Sequence, residues 1–170
     1  MIANDFLRKI RYSLNLKDTE MIQIFHASGQ EIEKTHLKSL LKKEDEKGFV
    51  LCSQPLLNAF LDGLIIFYRG SLNKTAAPDE QIKLNNNSIL RKVRIALAYQ
   101  DTDMLEIFKL GETTVSKSEL SAFFRRSGHK HYKECGDQFL RHFLQGLALY
   151  KKRPVRGETI SIQENVWPKK

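Results

Sequence analysis

The part of this chain richest in groups that could do chemistry is the segment 125–133. It reads Arg-Arg-Ser-Gly-His-Lys-His-Tyr-Lys, so cations, imidazoles and a phenol lie within a few residues of one another. In single-stranded nucleic acid sites, cations contact the phosphates while aromatic rings stack on the bases. The segment therefore predicts a nucleic-acid contact. The alternative is a solvated polar loop between two helices.

The histidines of this region and a nearby cysteine carry the donor atoms that zinc prefers. They are His129, His131, Cys135 and His142, and their spacing, His-x-His-x3-Cys-x6-His, is not a common zinc-ligand spacing. A nucleophilic Cys135 would need His142 as its base, yet Cys52, in the equivalent position of the repeat described below, has no such histidine. No glycine-rich phosphate loop is present. We expect no metal, no cofactor and no catalytic residue. A small hydrolase or metal enzyme ranks third among the possible functions.

A second set of cations recurs in the runs Leu-Arg-Lys-Ile-Arg and Leu-Arg-Lys-Val-Arg, each on a predicted helix. In each run the two arginines are three residues apart and share one helix face. They are Arg8 and Arg11 in the first run and Arg91 and Arg94 in the second. Two such faces could bind a phosphate backbone or an acidic protein surface. They could equally form ion pairs with neighbouring helices, since a repeated structural ion pair also needs a repeated arginine.

The predicted helices 101–110 and 116–126 have the order of a helix-turn-helix. The candidate groove-facing residues are Lys117, Ser118, Ser121 and Arg125. However, the turn 111–115 is longer than usual, and Ile107 is bulky where tight helix packing favours a small side chain. An ordinary helical hairpin is the favoured interpretation.

The elements that position these residues are set by an internal duplication. Residues 4–69 align with residues 87–152 without a gap, and the apolar columns match at helical spacing. Each copy predicts four helices. We therefore expect an all-α protein of two tandem four-helix repeats, packed with pseudo-two-fold symmetry around a shared core. The predicted boundaries are helical repeat 1 at 1–70, a linker at 71–86, helical repeat 2 at 87–153 and an extended C-terminal tail at 154–170.

The predicted helix starts follow from residues that favour caps. Asn4 and Asn87 are predicted as N-caps of the first helices, and Asp18 and Asp101 as N-caps of the second. A capping box, Ser116-Lys117-Ser118-Glu119, begins the third helix of the second repeat. Ser53-Gln54-Pro55 begins the fourth helix of the first repeat, where proline is tolerated in the first turn.

A glycine occupies the middle of each predicted fourth helix, at Gly63 and Gly146. A glycine inside a helix costs about 0.5 to 1 kcal/mol relative to alanine. Its presence at the same column of both copies predicts a close helix crossing. We expect this crossing where the two fourth helices meet on the pseudo-two-fold axis.

The net charge of +8 is distributed unevenly. Residues 1–70 hold 10 basic and 9 acidic side chains, residues 71–86 hold 2 and 2, and residues 87–170 hold 16 and 9. The second half therefore carries +7, which favours an anionic partner there, although basicity can also serve solubility alone. The chain shows no signal-peptide pattern and no apolar run long enough to span a bilayer, so we expect a cytoplasmic protein with reduced, buried cysteines.

Three motifs occur in both copies: Asn-x-x-Leu-Arg-Lys-x-Arg, Met-x-x-Ile-Phe and Cys-x7-Phe-Leu-x-Gly-Leu. In these motifs the chain, from residue 4 to about residue 156, resembles the YehS-like family of bacterial proteins, which are tandem domains of unknown function. The resemblance implies a cytosolic bacterial helical protein. It implies no catalytic residues.

The leading hypothesis is a non-enzymatic binding module whose basic second repeat contacts nucleic acid. The candidate contact residues are Arg91, Arg94, Lys117, Arg125, Arg126, Lys130 and Lys133, with a further basic face at Arg8 and Arg11. The alternative is a protein-interaction adaptor that binds an acidic partner with the cleft between the repeats and the basic faces of the first helices. We expect no membrane contact, and no small-molecule substrate is evident.

Overall fold

The computed structural model describes residues 1–70 and 83–153, which form eight α-helices and, within these two ranges, no β-strand. The first repeat contains α1 (Ala3–Ser13), α2 (Asp18–Ala27), α3 (Lys34–Leu40) and α4 (Gln54–Arg69). The second contains α5 (Asn86–Leu97), α6 (Asp101–Leu110), α7 (Lys117–Phe123) and α8 (Asp137–Lys151). The predicted all-α fold with two tandem four-helix repeats is confirmed. The predicted tail and most of the predicted linker lie outside the described residues.

The two repeats interlock. Within each repeat the second helix packs along the fourth, α2 on α4 and α6 on α8. The first helix of each repeat packs mainly on the fourth helix of the other repeat, α1 on α8 and α5 on α4. This exchange maps onto itself when the repeats are interchanged, as pseudo-two-fold symmetry requires. The buried apolar side chains of both repeats form one core, which gives two units of marginal size a common interior.

Small side chains let the exchanged helices approach closely. Ser13 is buried on α1, and its hydroxyl donates a hydrogen bond to the Leu144 carbonyl of α8 at 2.8 Å. The equivalent residue on α5 is Ala96, which is also buried. The contact of α1 with α8 is therefore fixed by a specific hydrogen bond as well as by apolar packing.

One buried asparagine near the start of α1 organises the first repeat. The Asn4 side chain donates to the carbonyls of Leu40 at 2.9 Å and Val50 at 2.8 Å, and it accepts from the Cys52 amide at 2.9 Å. These three backbone groups lie at the end of α3 and in the loop that leads to α4. The asparagine thus holds both ends of that loop against α1.

The second repeat builds the same bridge with Asn87. Its side chain donates to the carbonyls of Phe123 at 2.9 Å and Lys133 at 2.8 Å, and it accepts from the Cys135 amide at 2.9 Å. The prediction that Asn4 and Asn87 are N-caps is therefore wrong. Both lie inside their helices, and the N-cap residues are Ile2 and Asn85. An asparagine close to a helix start suits either role, because its amide can satisfy a helix end or a distant backbone segment.

Of the remaining N-cap predictions, those for the aspartates are wrong and those for the serines are confirmed. Asp18 and Asp101 are the first residues of α2 and α6, so their assignment as N-caps is wrong. Ser116 and Glu119 do form the predicted capping box, with both bonds at 3.1 Å. Ser53 is confirmed as the N-cap of α4, because its hydroxyl accepts from the Leu56 amide at 3.2 Å.

The two helix glycines mark close crossings, but not between the fourth helices. A Cβ atom on Gly63 would lie 1.8 Å from the Ile24 carbonyl oxygen of α2, and one on Gly146 would lie 1.8 Å from the Ile107 carbonyl oxygen of α6. The crossing therefore occurs within each repeat, between its second and fourth helices. The predicted meeting of the two fourth helices is wrong, because α5 and α1 occupy the flanks of α4 and α8.

We expect Gly146→Ala to lower the free energy of unfolding by about 1 to 3 kcal/mol, because the new methyl group must push α6 away from α8. Gly63→Ala should behave alike. Chemical denaturation measures both. Gly128→Ala is the control, since a Cβ there meets nothing within 4 Å. Wild-type stability in Gly146→Ala would contradict the crossing.

We expect Asn87→Asp to destabilise the fold by at least about 2 kcal/mol at pH 7, because a carboxylate oxygen would replace the amide that donates to two carbonyls. Burial beside these carbonyls raises the folded-state pKa of the new acid above its unfolded-state value. The loss should therefore be smaller at pH 4, where the protonated acid can still donate to one of the two carbonyls, and should grow as the pH rises towards 7. Urea melts at both pH values test this, and a pH-independent difference from wild type would contradict it.

Candidate nucleic-acid interface

Two of the repeated arginines form equivalent ion pairs with acidic side chains of the same repeat. The Arg11 guanidinium lies 2.9 Å from the Asp18 carboxylate, and the Arg94 guanidinium lies 2.6 Å from the Asp101 carboxylate. Each pair ties a first helix to the start of the second helix of the same repeat. Asp18 and Asp101 thus serve as ion-pair partners, which explains why they are present without capping their helices.

The other two arginines hold the ends of the third helices. Arg8 donates to the Lys42 carbonyl at 2.7 Å and also pairs with Asp5. Arg91 donates to the Phe124 carbonyl. These carbonyls follow the last turns of α3 and α7, where a helix leaves acceptors without partners. All four arginines therefore make contacts within the protein. Arg11 and Arg94 form ion pairs with a neighbouring helix, whereas Arg8 and Arg91 bond to backbone carbonyls.

Lys133 is likewise engaged within the second repeat. Its ammonium group lies 2.7 Å from the Glu119 carboxylate and 5.2 Å from the centre of the Phe139 ring. The hydrogen bonds from Lys133 and from the Ser116 amide hold the pKa of Glu119 below its usual range. Lys133 thus links the loop before α8 to the start of α7.

The four remaining candidate residues are exposed and form no ion pair within the described parts of the chain. Lys117 begins α7, and the other three lie on the loop that joins α7 to α8. We call this surface the loop face, and its cations are Lys117, Arg125, Arg126 and Lys130. A shallow depression of about 470 Å³ lies beside it, lined by residues that include Arg125, His131 and Tyr132.

The equivalent loop of the first repeat differs in charge and in its internal bonds. Glu44, Asp45 and Glu46 lie among its lysines. The Lys42 ammonium donates to the Lys47 carbonyl at 2.7 Å, and the Glu46 carboxylate accepts from the Lys43 amide at 2.5 Å. Three carboxylates lie among the cations of this loop, whereas the segment 125–133 contains none.

The length of α7 bears on the helix-turn-helix order of α6 and α7. The third helix of the second repeat, α7, has 7 residues and ends at Phe123, so Arg125 lies beyond it. An α7 of this length presents too short a face for a recognition helix in the major groove. The pair α6 and α7 is an ordinary hairpin, and three of the four loop-face cations lie in the loop that follows it.

The residues with metal-binding or nucleophilic potential are dispersed. No group of three or more His, Cys, Asp or Glu side chains within 1–70 and 83–153 is arranged to hold a metal ion. His142 Nδ1 lies 2.6 Å from the Gly111 carbonyl oxygen, so that ring nitrogen donates to α6. Burial raises the pKa of Cys52 to about 11 and that of Cys135 to about 12, so both are thiols at neutral pH.

A second cationic surface lies in the cleft between the repeats, and of its cations only Arg8 was a predicted contact residue. Helices α1 and α8 border a groove of about 760 Å³, which we call the inter-repeat groove. Its cations come from both repeats and are Arg8, Lys9, Lys43, Arg141 and Lys152. Lys9 and Arg141 come together only because α1 packs on the fourth helix of the other repeat. The sequence signal that could have found this surface was the change of Asn58 to Arg141, and of Asp62 to Gln145, between the two copies.

Comparison with known proteins agrees with this architecture. The family model described as Protein of unknown function (DUF1456) matches the chain twice, over residues 3–70 and 86–153. The chain is 39% identical over 148 residues to the Uncharacterized protein YehS of Escherichia coli (strain K12), covering 87% of this chain and 95% of that protein. No solved structure matches. In the described ranges no helix has the length and apolar character needed to cross a bilayer.

We expect both cysteines to react at least about a hundredfold more slowly with a thiol reagent at pH 7.5 than a free cysteine, because a buried thiol yields little thiolate. Timed labelling of the native protein, with the denatured protein as the control, measures this. Rapid labelling of Cys135 in the native state would show that its environment is open and reactive.

Proposed function

The chain belongs to the DUF1456 family, and we propose that it is a non-enzymatic protein that binds nucleic acid through the phosphate backbone, using its loop face. The observation that carries the proposal is the group of exposed cations on the loop face. Lys117, Arg125, Arg126 and Lys130 have no acidic partner among the described residues, while the matching loop of the first repeat carries three acids.

The distribution of these cations suits phosphates. Charge-assisted contacts from lysine and arginine supply most of the sequence-independent affinity for nucleic acids. A cation that contacts a phosphate must be accessible and must not already be bonded to a group of the protein. The cations of the loop face are exposed. Arg91, Arg94 and Lys133 do not meet this condition, because each already bonds to groups of the protein. We therefore narrow the contact set to the loop face.

The type of binding follows from the neighbouring structure. Because α7 is short and the cations lie in a loop, base-specific contacts in a major groove are not favoured. Beside the cations, the exposed imidazole of His131 and the half-buried ring of Tyr132 line the depression. Such rings can stack on unpaired bases, which favours a single strand over a duplex. We infer weak, salt-sensitive binding with little sequence preference.

The adaptor alternative used the cleft between the repeats together with the basic faces of the first helices. Those faces offer less than the sequence suggested, because Arg8, Arg11, Arg91 and Arg94 are used inside the protein. The adaptor hypothesis therefore becomes the conclusion if nucleic acid does not bind.

We expect the triple variant Arg125→Ala, Arg126→Ala, Lys130→Ala to bind an unstructured oligonucleotide much more weakly than wild type. The slope of log affinity against log salt should fall in magnitude by about 0.7 for each phosphate of a single strand that the variant no longer neutralises. Fluorescence anisotropy with a labelled oligonucleotide, repeated over a range of salt concentrations, measures both quantities. Unrelated sequences should show the same change.

The matched control removes the same charge from the first repeat. Lys34→Ala, Lys38→Ala, Lys47→Ala replaces three exposed lysines and should leave most of the affinity in place. Equal reductions in the two triple variants would show that only net charge matters and would reject the loop face as the site. No binding by wild-type protein at low salt, where such contacts are strongest, would reject nucleic-acid binding altogether.

A further inference from the structure

The two contacts between the repeats, α5 on α4 and α1 on α8, pair equivalent helices but differ in the charge of their side chains. Where α5 packs on α4, the Lys92 ammonium donates to Asn58 Oδ1 and to Asp62 Oδ1, each at 2.6 Å. The charge of Lys92 is therefore neutralised by the Asp62 carboxylate of α4, the helix on which α5 packs. The bond crosses from one repeat to the other and closes that side of the molecule.

Where α1 packs on α8, the same lysine column is kept as Lys9, but its partners are not. Asn58 is replaced by Arg141 and Asp62 by Gln145, so a cation and a neutral amide occupy the columns of the two groups that bind Lys92. Both replacements line the inter-repeat groove together with Lys9. A structural ion pair in one half thus corresponds to an accumulation of positive charge in the other.

The described acids near this charge are engaged with other groups. The Met1 ammonium group and the Asn86 amide hold the pKa of Asp137 below its usual range, and the Arg141 guanidinium is a further charge that lowers it. Asp5 is the one acid that lines the groove, and it pairs with Arg8. Asp137, one turn before Arg141 on α8, is bonded to the Asn86 amide at 2.7 Å and to the Met1 ammonium group. Lys43 and Lys152 add two more cations, and none of Lys9, Lys43, Arg141 and Lys152 forms an ion pair within 1–70 and 83–153.

The packing of α1 on α8 fixes the backbone positions from which these charged side chains extend. The hydrogen bond from Ser13 to the Leu144 carbonyl holds α1 against α8 in the middle of the groove, and apolar packing surrounds it. Like charges held near one another in this way repel, and a bound anion relieves the repulsion. Several cations that line one concave site can contact the oxygens of a phosphate group.

The groove also offers a surface for an uncharged part of a ligand. Tyr12 is 68% exposed and borders both the groove and an adjoining hollow of about 930 Å³. Leu149 is 45% exposed beside it and lines the same groove. The Lys152 ammonium lies 5.1 Å from the centre of the Tyr12 ring and donates to its hydroxyl at 3.3 Å, so a cation is held beside this ring. An exposed ring and an apolar side chain next to cations suit a flat heterocycle joined to phosphate. The volume of the groove lies in the range of small-molecule sites.

We propose that the inter-repeat groove is a binding site for a phosphate-bearing small molecule, whose phosphate lies between Lys9 and Arg141. This site uses no residue of the loop face and so stands apart from the proposed function. It also adds a small-molecule ligand that the sequence alone did not indicate. Two sources of the phosphate, an inorganic one and a nucleotide, are separated by the probes below.

Calorimetric titration with inorganic phosphate, pyrophosphate and adenosine 5′-monophosphate tests the proposal, with sodium chloride at matched ionic strength as the reference. Binding of pyrophosphate with no gain from the nucleotide over phosphate would support an inorganic source. Tighter binding of the nucleotide than of phosphate would support a nucleotide, and Tyr12→Ala should then remove that difference. Binding of none of the three above the chloride reference would overturn the proposal.

The double variant Arg141→Asn, Gln145→Asp copies the first repeat's ion-pair set into the groove. We expect it to melt at a higher temperature than wild type in phosphate-free buffer, since Lys9 gains the partners that Lys92 has. Its affinity for the bound probe should fall at least tenfold. A higher melting temperature would also show that the variant folds, so weaker binding would report on the site itself.

Two further variants complete the test. Lys9→Met removes one of the two cations proposed to contact the phosphate and should also lower the affinity for the probe at least tenfold. Lys117→Ala on the loop face should leave that affinity unchanged. Undiminished binding in Lys9→Met and in the double variant would place the phosphate elsewhere and overturn the proposal. Because Lys117→Ala changes only the loop face, failure of the groove and failure of nucleic-acid binding are told apart.

Discussion

The architecture depends on one buried asparagine in each repeat. Asn4 and Asn87 satisfy three backbone groups that lie 36, 46 and 48 residues further along the chain, at the same separations in both copies. A backbone group left without a partner in the interior costs about 1 to 3 kcal/mol, so the loop before the fourth helix can enter the core only where such a side chain meets it. That loop ends at the buried cysteine that precedes the fourth helix. The asparagine thereby sets where that helix starts and how it crosses the second.

The interlocked packing spreads this constraint over both repeats. Because α1 lies on α8 and α5 lies on α4, a first helix fixed by its asparagine also fixes the fourth helix of the other repeat. The glycine crossings at Gly63 and Gly146 then bring the second helices into place. Neither repeat completes its interior alone, and the exchange of first helices gives the chain one continuous core.

The columns that the two copies share and those in which they differ have different physical roles. Several shared polar and glycine columns, such as Arg11 with Arg94 and Gly63 with Gly146, make internal contacts. The columns that differ in charge lie on the surface, at the loop before the fourth helix and at the inter-repeat groove. A contact that both halves need is retained in both, whereas a surface used by one half has no reason to be duplicated. The proposed functions therefore rest on departures from the internal symmetry.

Local patterns in the chain were enough to establish the helices, the repeat and the identity of most core residues, because helical periodicity and capping are local properties that a duplicated pattern reports twice. They also indicated that Gly63 and Gly146 mark close approaches and that Ser53 and Ser116 begin helices. What those residues contact became known from the folded arrangement: Asn4 bridges a distant loop, the glycines face the second helices, and the arginines of the first helices serve inside the protein. The folded arrangement also places Lys9 and Arg141 in one groove. Most of these contacts depend on which helix lies against which, and residues far apart in the sequence carry no local signal of their pairing.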